Sequence, residues 1–136
     1  MRYVEQSISQ STNILPAAGL PQKQASGART GAYQAFEGDS KVAEFQWSYR
    51  DDGRLFLHSI RFEQGYETYH YFEQIMEFIR YKAHAVGQDA VYAEVAIQNC
   101  MLYEHLKRFG FYAIDQYLRQ GNRGKQSIIR VMKYTV

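Results

Sequence analysis

Three ionisable side chains occupy stretches with the alternating pattern of strands, where they could take a proton from a nucleophile. They are Glu44, His58 and Glu94. A carboxylate or an imidazole acts as a general base when it reaches the proton that it removes. Each of the three also fits an ordinary polar residue that is paired or faces solvent, because ionisable groups are seldom buried alone. The residue types make all three side chains candidate bases but do not show which of them acts.

The pattern of histidines and cysteines gives no metal site. His70, His84 and His105 lie on predicted helices without a partner at metal-ligand spacing. Cys100 is the only cysteine, so it cannot form a disulfide within the chain. A reducing, cytoplasmic location fits a single thiol. No apolar run is long enough to span a bilayer, so we expect no membrane association.

The first two ionisable candidates lie on predicted antiparallel strands. We predict strands at Gly31–Phe36, Lys41–Tyr49 and Arg54–Phe62. Asp51-Asp52-Gly53 is a tight-turn signal before the third of them. Strict alternation then divides the third strand into two faces. One face carries Leu55, Leu57 and Ser59, and the other carries Phe56, His58, Ile60 and Phe62.

A long helix is predicted next, with Thr68 as its N-cap and Gly87 at its end. Apolar residues fall on one helical stripe, which indicates a buried face. They are Phe72, Ile75, Met76, Ile79, Ala83 and Val86. The strand Ala90–Ile97 follows, and its small residues suggest burial on both faces.

A short helix from Asn99 to Gly110 and a hairpin of Phe111–Arg119 with Ser127–Tyr134 complete the chain. Residues 1–30 are predicted as an irregular N-terminal arm, with a short strand near Arg2–Gln6. Residues 31–136 are predicted as one domain. The predicted fold class is α+β, with a mixed, mostly antiparallel sheet of six or seven strands, one long helix and one short helix.

This order of elements resembles the GNAT superfamily of N-acetyltransferases over residues 31–136. The most specific segments are Tyr92–Asn99 and Lys107–Phe111, because Asn99 and Gly110 have the spacing seen in that superfamily. The resemblance implies transfer of an acyl group from acetyl-CoA or another acyl-CoA to an amine. It also implies a reduced N-terminal region, since some thirty residues cannot hold the strand and two helices found there in the family.

The loop that binds the CoA pyrophosphate in this family has a degenerate counterpart here. The family pattern Arg/Gln-x-x-Gly-x-Gly/Ala falls on Glu67 to Phe72, where no glycine remains. Glycine lets backbone amides approach a pyrophosphate, whereas Phe72 adds bulk and Glu67 adds negative charge. If the site is closed, Phe72 should be buried and Glu67 should take the pyrophosphate position. If acyl-CoA binds, the resemblance places it against Phe62, Thr68, Tyr69, His70, Tyr71 and Asn99.

A second family residue is also replaced. Many members carry a tyrosine four residues before the Gly-Phe pair, where it protonates the departing thiolate. Leu106 occupies that position, and Tyr103 lies one turn earlier. The candidate catalytic residues are therefore Tyr103, Glu94 and His58, although Tyr103 also fits an ordinary half-buried aromatic residue.

Charge and tyrosine content suggest partners. The chain carries a net charge of +2, yet residues 105–136 hold seven basic residues against Asp115, a net of +6. This basic hairpin fits a solvated face, a homodimer, an acidic protein partner or, less favourably, nucleic acid, because Arg130 and Lys133 fall on opposite strand faces. Tyr66, Tyr69 and Tyr71 fit either a packed helix start or a protein interface.

Two classes of function stay open from the sequence. One is an acyl-CoA-dependent N-acetyltransferase with altered acyl-CoA use. The other is a binding or regulatory module that has the same sheet, has lost acyl-CoA use and needs no cofactor.

Overall fold

The computed structural model describes residues 1–6, 29–50 and 52–136. These residues form one seven-stranded sheet and two α-helices. In chain order they are β1 (Arg2–Gln6), β2 (Arg29–Glu37), β3 (Ser40–Tyr49), β4 (Leu55–Phe62), α1 (Tyr69–Ala85), β5 (Ala90–Ala96), α2 (Cys100–Phe109), β6 (Tyr112–Gln120) and β7 (Gln126–Thr135). The predicted α+β class and the predicted mostly antiparallel sheet are confirmed.

The sheet order is β1-β2-β3-β4-β5-β7-β6. Strands β1 to β4 pair antiparallel in sequence, and the predicted strand near Arg2–Gln6 is the edge strand β1. Strand β5 pairs parallel to β4, which requires the crossover that α1 supplies. Arg29 and Thr30, predicted as the end of the irregular arm, instead belong to β2. Residues 7–28 of the predicted arm and Asp51 of the predicted turn lie outside the described residues.

Both helices contribute to a core on one face of the sheet. In α1 the predicted stripe is buried from Phe72 to Ala83, and all five of its residues there are at most 3% exposed. Val86 is an exception to the prediction, because the helix ends at Ala85 and Val86 is 53% exposed. Gly87 takes a positive φ of 81° directly after it, which a glycine adopts without strain. From α2, Leu106 reaches the same core and is fully buried.

The indole ring of Trp47 on β3 leaves no space for a side chain at Gly31 on β2. A Cβ atom added there would lie 2.5 Å from the Trp47 ring. We expect Gly31→Ala to destabilise the protein by about 1–3 kcal/mol, because the indole must move. Urea unfolding measures the change. In a Trp47→Phe background the same substitution should cost clearly less, and an equal cost in both backgrounds would mean that the ring is not the obstacle.

Candidate functional site

The central strands β4 and β5 separate part-way along the sheet. Their parallel pairing joins Leu55–Leu57 to Val91–Ala93 and extends no further in the described register. Beyond this point residues 58–60 and 94–96 line the two sides of a pocket of about 380 Å³. Asn99 and Leu102 line it from the start of α2, together with Arg119 of β6 and Ile129 of β7. The pocket therefore lies where two neighbouring strands leave backbone edges unpaired with each other.

A β-bulge in β4 coincides with this separation. Gln46 pairs with Ser59 but Trp47 pairs with Leu57, so His58 is the extra residue on β4. A bulge disrupts the ladder locally and re-aims the side chains that follow it. Ile60 and Phe62 accordingly pack against the same core as Leu55 and Leu57. The predicted strict alternation of β4 is wrong beyond Leu57, because the bulge moves the later residues to the opposite face.

His58 projects from the bulge into the pocket wall. Its Nε2 atom is hydrogen-bonded to the hydroxyl of Ser48, a side chain only 2% exposed. Partial removal from water lowers the pKa of His58 below its ordinary value of 6.5, and the positive charge of Arg50 lowers it further while Glu94 opposes the change. His58 is therefore held by its neighbour and favours the neutral form, which is the form that can accept a proton.

Glu94 lies on β5 across the pocket and is surrounded by donors. The Tyr117 hydroxyl donates to Glu94 Oε2 at 3.0 Å, and Arg119 Nη2 donates to Glu94 Oε1 at 3.2 Å. Arg50 Nη2 lies 3.8 Å from Glu94 Oε2. Burial and the hydrogen bond to Glu94 raise the pKa of Tyr117. Because donors engage both of its oxygens, Glu94 is placed to hold these side chains in position.

The other two candidate bases and acids lie away from this pocket. Glu44 is paired with Arg61 and accepts a hydrogen bond from Lys41 at 2.6 Å, which holds the pKa of Glu44 below its ordinary value. Tyr103 is half-buried, with the Arg130 guanidinium 4.3 Å from its ring centroid. Tyr103 is not among the residues that line the pocket, whereas its neighbour Leu102 is. A role for Tyr103 as an acid stays a prediction.

The start of α1 is filled by aromatic side chains. Phe72 is fully buried, as the predicted apolar stripe of α1 requires, and its ring lies 5.1 Å from that of His105. Tyr69 and Tyr71 are half-buried against the core, and the Tyr71 hydroxyl donates to Glu37 at 2.7 Å. His70 is exposed and lies 2.8 Å from Gln74. Of the two interpretations of the tyrosine cluster, these contacts favour a packed helix start.

Negative charge also lies at this helix start. Glu67 Oε1 accepts a hydrogen bond from the Gly65 amide at 2.9 Å. This loop amide therefore already donates to a carboxylate of the chain. Thr68 is at the N-cap position as predicted, but its side chain makes no capping hydrogen bond. Phe72 thus fills the interior behind this helix start and Glu67 lies on the loop before it, and a closed pyrophosphate site stays a prediction.

Of the two remaining predicted cofactor contacts, Asn99 lines the pocket and Phe62 does not. Asn99 caps α2 as predicted, because its side-chain oxygen accepts from the Leu102 amide at 3.3 Å, and it also lines the pocket. Phe62 is the last residue of β4 and packs against the core.

Basic residues of the C-terminal hairpin have separate surroundings. Arg119 is engaged by Glu94, Arg130 lies over Tyr103, and the Lys133 ammonium lies 5.8 Å from the Tyr92 ring centroid. Binding of nucleic acid by this hairpin stays a prediction.

The described residues hold neither a metal cluster nor a membrane-spanning helix. Within residues 1–6, 29–50 and 52–136, no group of three His, Cys, Asp or Glu side chains could hold a metal ion. In the same part of the chain, no helix combines the length and the apolar character needed to cross a bilayer.

Comparison with known proteins identifies the fold but not the activity. No family model and no curated protein matches the sequence. An N-acetyltransferase from Staphylococcus aureus Mu50 superposes with a TM-score of 0.68 at 8% identity, covering 78% of this chain and 67% of that one. A Bacillus subtilis acetyltransferase solved with CoA gives 0.66 at 14% identity, with 79% and 78% covered.

A third similar structure is the IAA acetyltransferase from Bacillus cereus ATCC 14579. It has a TM-score of 0.66 at 10% identity, and 79% of each chain is covered. Identities this low are informative about the fold alone. The mostly antiparallel seven-stranded sheet with two helices superposes on these acetyltransferases, and this chain has the GNAT fold.

Proposed function

We propose that this protein is an acyl-CoA-dependent N-acyltransferase. It binds the acyl-thioester end of its donor, and its contacts with the pyrophosphate differ from the usual family pattern. The observation that carries this proposal is the pocket where β4 leaves β5, with His58 on its wall. Concave sites with a few convergent polar groups are the usual places for small-molecule chemistry.

The unpaired strand edges suit an extended, amide-bearing chain. Residues 58–60 and 94–96 face each other across the pocket without pairing, so their backbone groups can serve a ligand. An extended molecule that lies between strands gains backbone hydrogen bonds in the same way as an added strand. CoA carries its acyl thioester at the end of an arm that contains two amides. These amides can form hydrogen bonds with the unpaired strand edges.

His58 is proposed to accept the proton of the amine. Nitrogen attack on the thioester carbonyl forms a C–N bond and breaks the C–S bond. The nitrogen loses a proton, and the CoA thiolate leaves and takes up a proton from solvent. His58 favours the neutral form, and Ser48 fixes the orientation of its ring. If Nε2–H donates to the Ser48 hydroxyl, the Nδ1 lone pair is available to take that proton.

A second candidate is a binding or regulatory module that does not use acyl-CoA. The full burial of Phe72 and of Leu106 favours it, because both occupy positions that the enzyme family uses for its donor. Such a module would need a protein partner or a second copy of this chain. Strand β6 forms an edge of the sheet with exposed Tyr112, Ile114 and Leu118, and it is our proposed contact surface for that case.

Thermal unfolding with added thioesters tests the proposal. A ligand at a hundred times its Kd stabilises a protein by about 2.7 kcal/mol, so acetyl-CoA at millimolar concentration should raise Tm. S-acetylpantetheine, which lacks the nucleotide, should raise Tm nearly as much at equal concentration if the pyrophosphate grip is altered. CoA and ADP serve as controls for the thiol and nucleotide ends. No shift with either thioester would refute the enzyme proposal and leave the binding module.

A further inference from the structure

A compact group of charged and aromatic residues lies beside His58 on the sheet face opposite the helices. Arg50, at the end of β3, has its guanidinium 3.9 Å above the centroid of the Phe56 ring. Phe56 in turn stacks on Tyr92 with ring centroids 5.2 Å apart. Cation–π contact with a packed ring restricts the long arginine side chain. Arg50 is therefore held in place before any ligand arrives.

The second arginine of this group is fixed from β6. Arg119 donates to the Tyr117 hydroxyl at 2.7 Å as well as to Glu94, and it lines the pocket. The Glu94 side chain is 16% exposed, whereas that of Arg119 is 53% exposed. Glu94 and Tyr117 thus anchor one side of the guanidinium, and the remainder of it is open to the pocket and to solvent.

The charges of the group do not cancel. Arg50 and Arg119 contribute two positive charges, and Glu94 is the one carboxylate that pairs with either of them among the described residues. A guanidinium has five N–H donors, so one shared carboxylate leaves donors on both arginines for another acceptor. Planar arginine donors match a carboxylate or a phosphate especially well.

We propose that the acceptor amine carries a small anionic group, a carboxylate or a phosphate, which Arg119 and Arg50 bind while the amine lies at His58. Arg119 is then the residue that determines acceptor specificity. This inference rests on the proposed acyl transfer for the role of the amine, but the anion site itself exists independently of the donor. An amine without the anionic group would leave the two arginines without their partner and bind weakly.

Equilibrium binding by calorimetry, without any acyl-CoA, tests the anion site. The probes are the standard amino acids against their carboxamides, and phosphoethanolamine against ethanolamine. We expect at least one anionic amine to bind tenfold or more tightly than its neutral counterpart. The carboxylate and phosphate arms show which anion is preferred. If no anionic probe exceeds its neutral counterpart, the proposal is wrong.

Variants distinguish specific anion binding by Arg119 from nonspecific attraction to positive charge. Arg119→Gln should abolish the preference for the anionic probe, and Arg119→Lys should retain part of it because the charge remains. Lys125→Gln removes one positive charge from the exposed turn of the same hairpin and should leave binding unchanged. Equal losses in Arg119→Gln and Lys125→Gln would overturn the proposal. Anion binding that depends on Arg119, without acyl transfer from acetyl-CoA, would instead overturn the proposed activity and leave the anion site standing.

Discussion

Replacement of His58 by glutamine is expected to lower kcat/KM for N-acyl transfer by about a hundredfold to ten-thousandfold, the range that a positioned general base contributes. Glutamine retains size and a hydrogen bond to Ser48 but cannot take a proton at neutral pH. Release of the free CoA thiol in the presence of an accepting amine measures the rate. Melting with S-acetylpantetheine should be unchanged, because the substitution removes a proton acceptor and leaves the slot between the strands.

The pH profile gives the same prediction a second readout. Because the pKa of His58 is lowered from 6.5, the residue is mostly neutral at pH 7. It becomes protonated as the pH falls below this lowered pKa. The wild-type rate should therefore be level near pH 7 and decrease towards acid, with its midpoint below 6.5. In His58→Gln this acid limb should disappear, because the imidazole that is protonated along it has been removed.

A matched histidine variant serves as the control for this experiment. His84 is an exposed residue near the end of α1 and lies outside the pocket, so His84→Gln should retain both the rate and the acid limb. If His58→Gln also retained the full rate and the acid limb, the base would be another group. A bound water or Glu94 would then be the candidate, and Ser48–His58 would be a structural pair.

The sequence predicted the elements of this fold well because each has a local signal. The stripe on α1, Gly87 at its end and the cap at Asn99 are recorded in residue spacing and type, and all three occur in the structure. The bulge at His58 has no such signal. Leu55 to Phe62 reads as uninterrupted alternation, and the shift arises only when β4 pairs with β3.

The charged group beside His58 depends on distant parts of the chain. In the sheet order, β7 lies between β5 and β6. Tyr117 and Arg119 of β6 therefore contact Glu94 of β5 by extending across β7. Tyr117 and Arg119 are two residues apart, so sequence alone places them on one face of a strand. The order of strands in the sheet determines which residues contact this face of β6. The sequence nominated His58 and Glu94 separately, and the topology brings them to one pocket.

Phe72→Ala is expected to destabilise the protein by about 3–5 kcal/mol, the usual cost of deleting a buried aromatic ring. Phe72 is fully buried, and its ring contacts those of Tyr69 and His105 with centroids 6.0 Å and 5.1 Å away. Urea unfolding at constant m value measures the change. Tyr81→Ala, on the same helix at 68% exposure, should change stability by less than about 0.5 kcal/mol.

The Phe72 variants also test the proposed change in pyrophosphate binding. Phe72→Leu retains an apolar side chain and should cost less stability, so it is the variant for ligand measurements. If Phe72 fills the space that a nucleotide would need, the smaller side chain should raise the affinity for acetyl-CoA relative to S-acetylpantetheine. If Glu67 is the obstacle, Glu67→Gln should produce that gain and Phe72→Leu should not. A small stability loss in Phe72→Ala would mean that this helix start is loosely packed, and the steric account of the closed site would then be wrong.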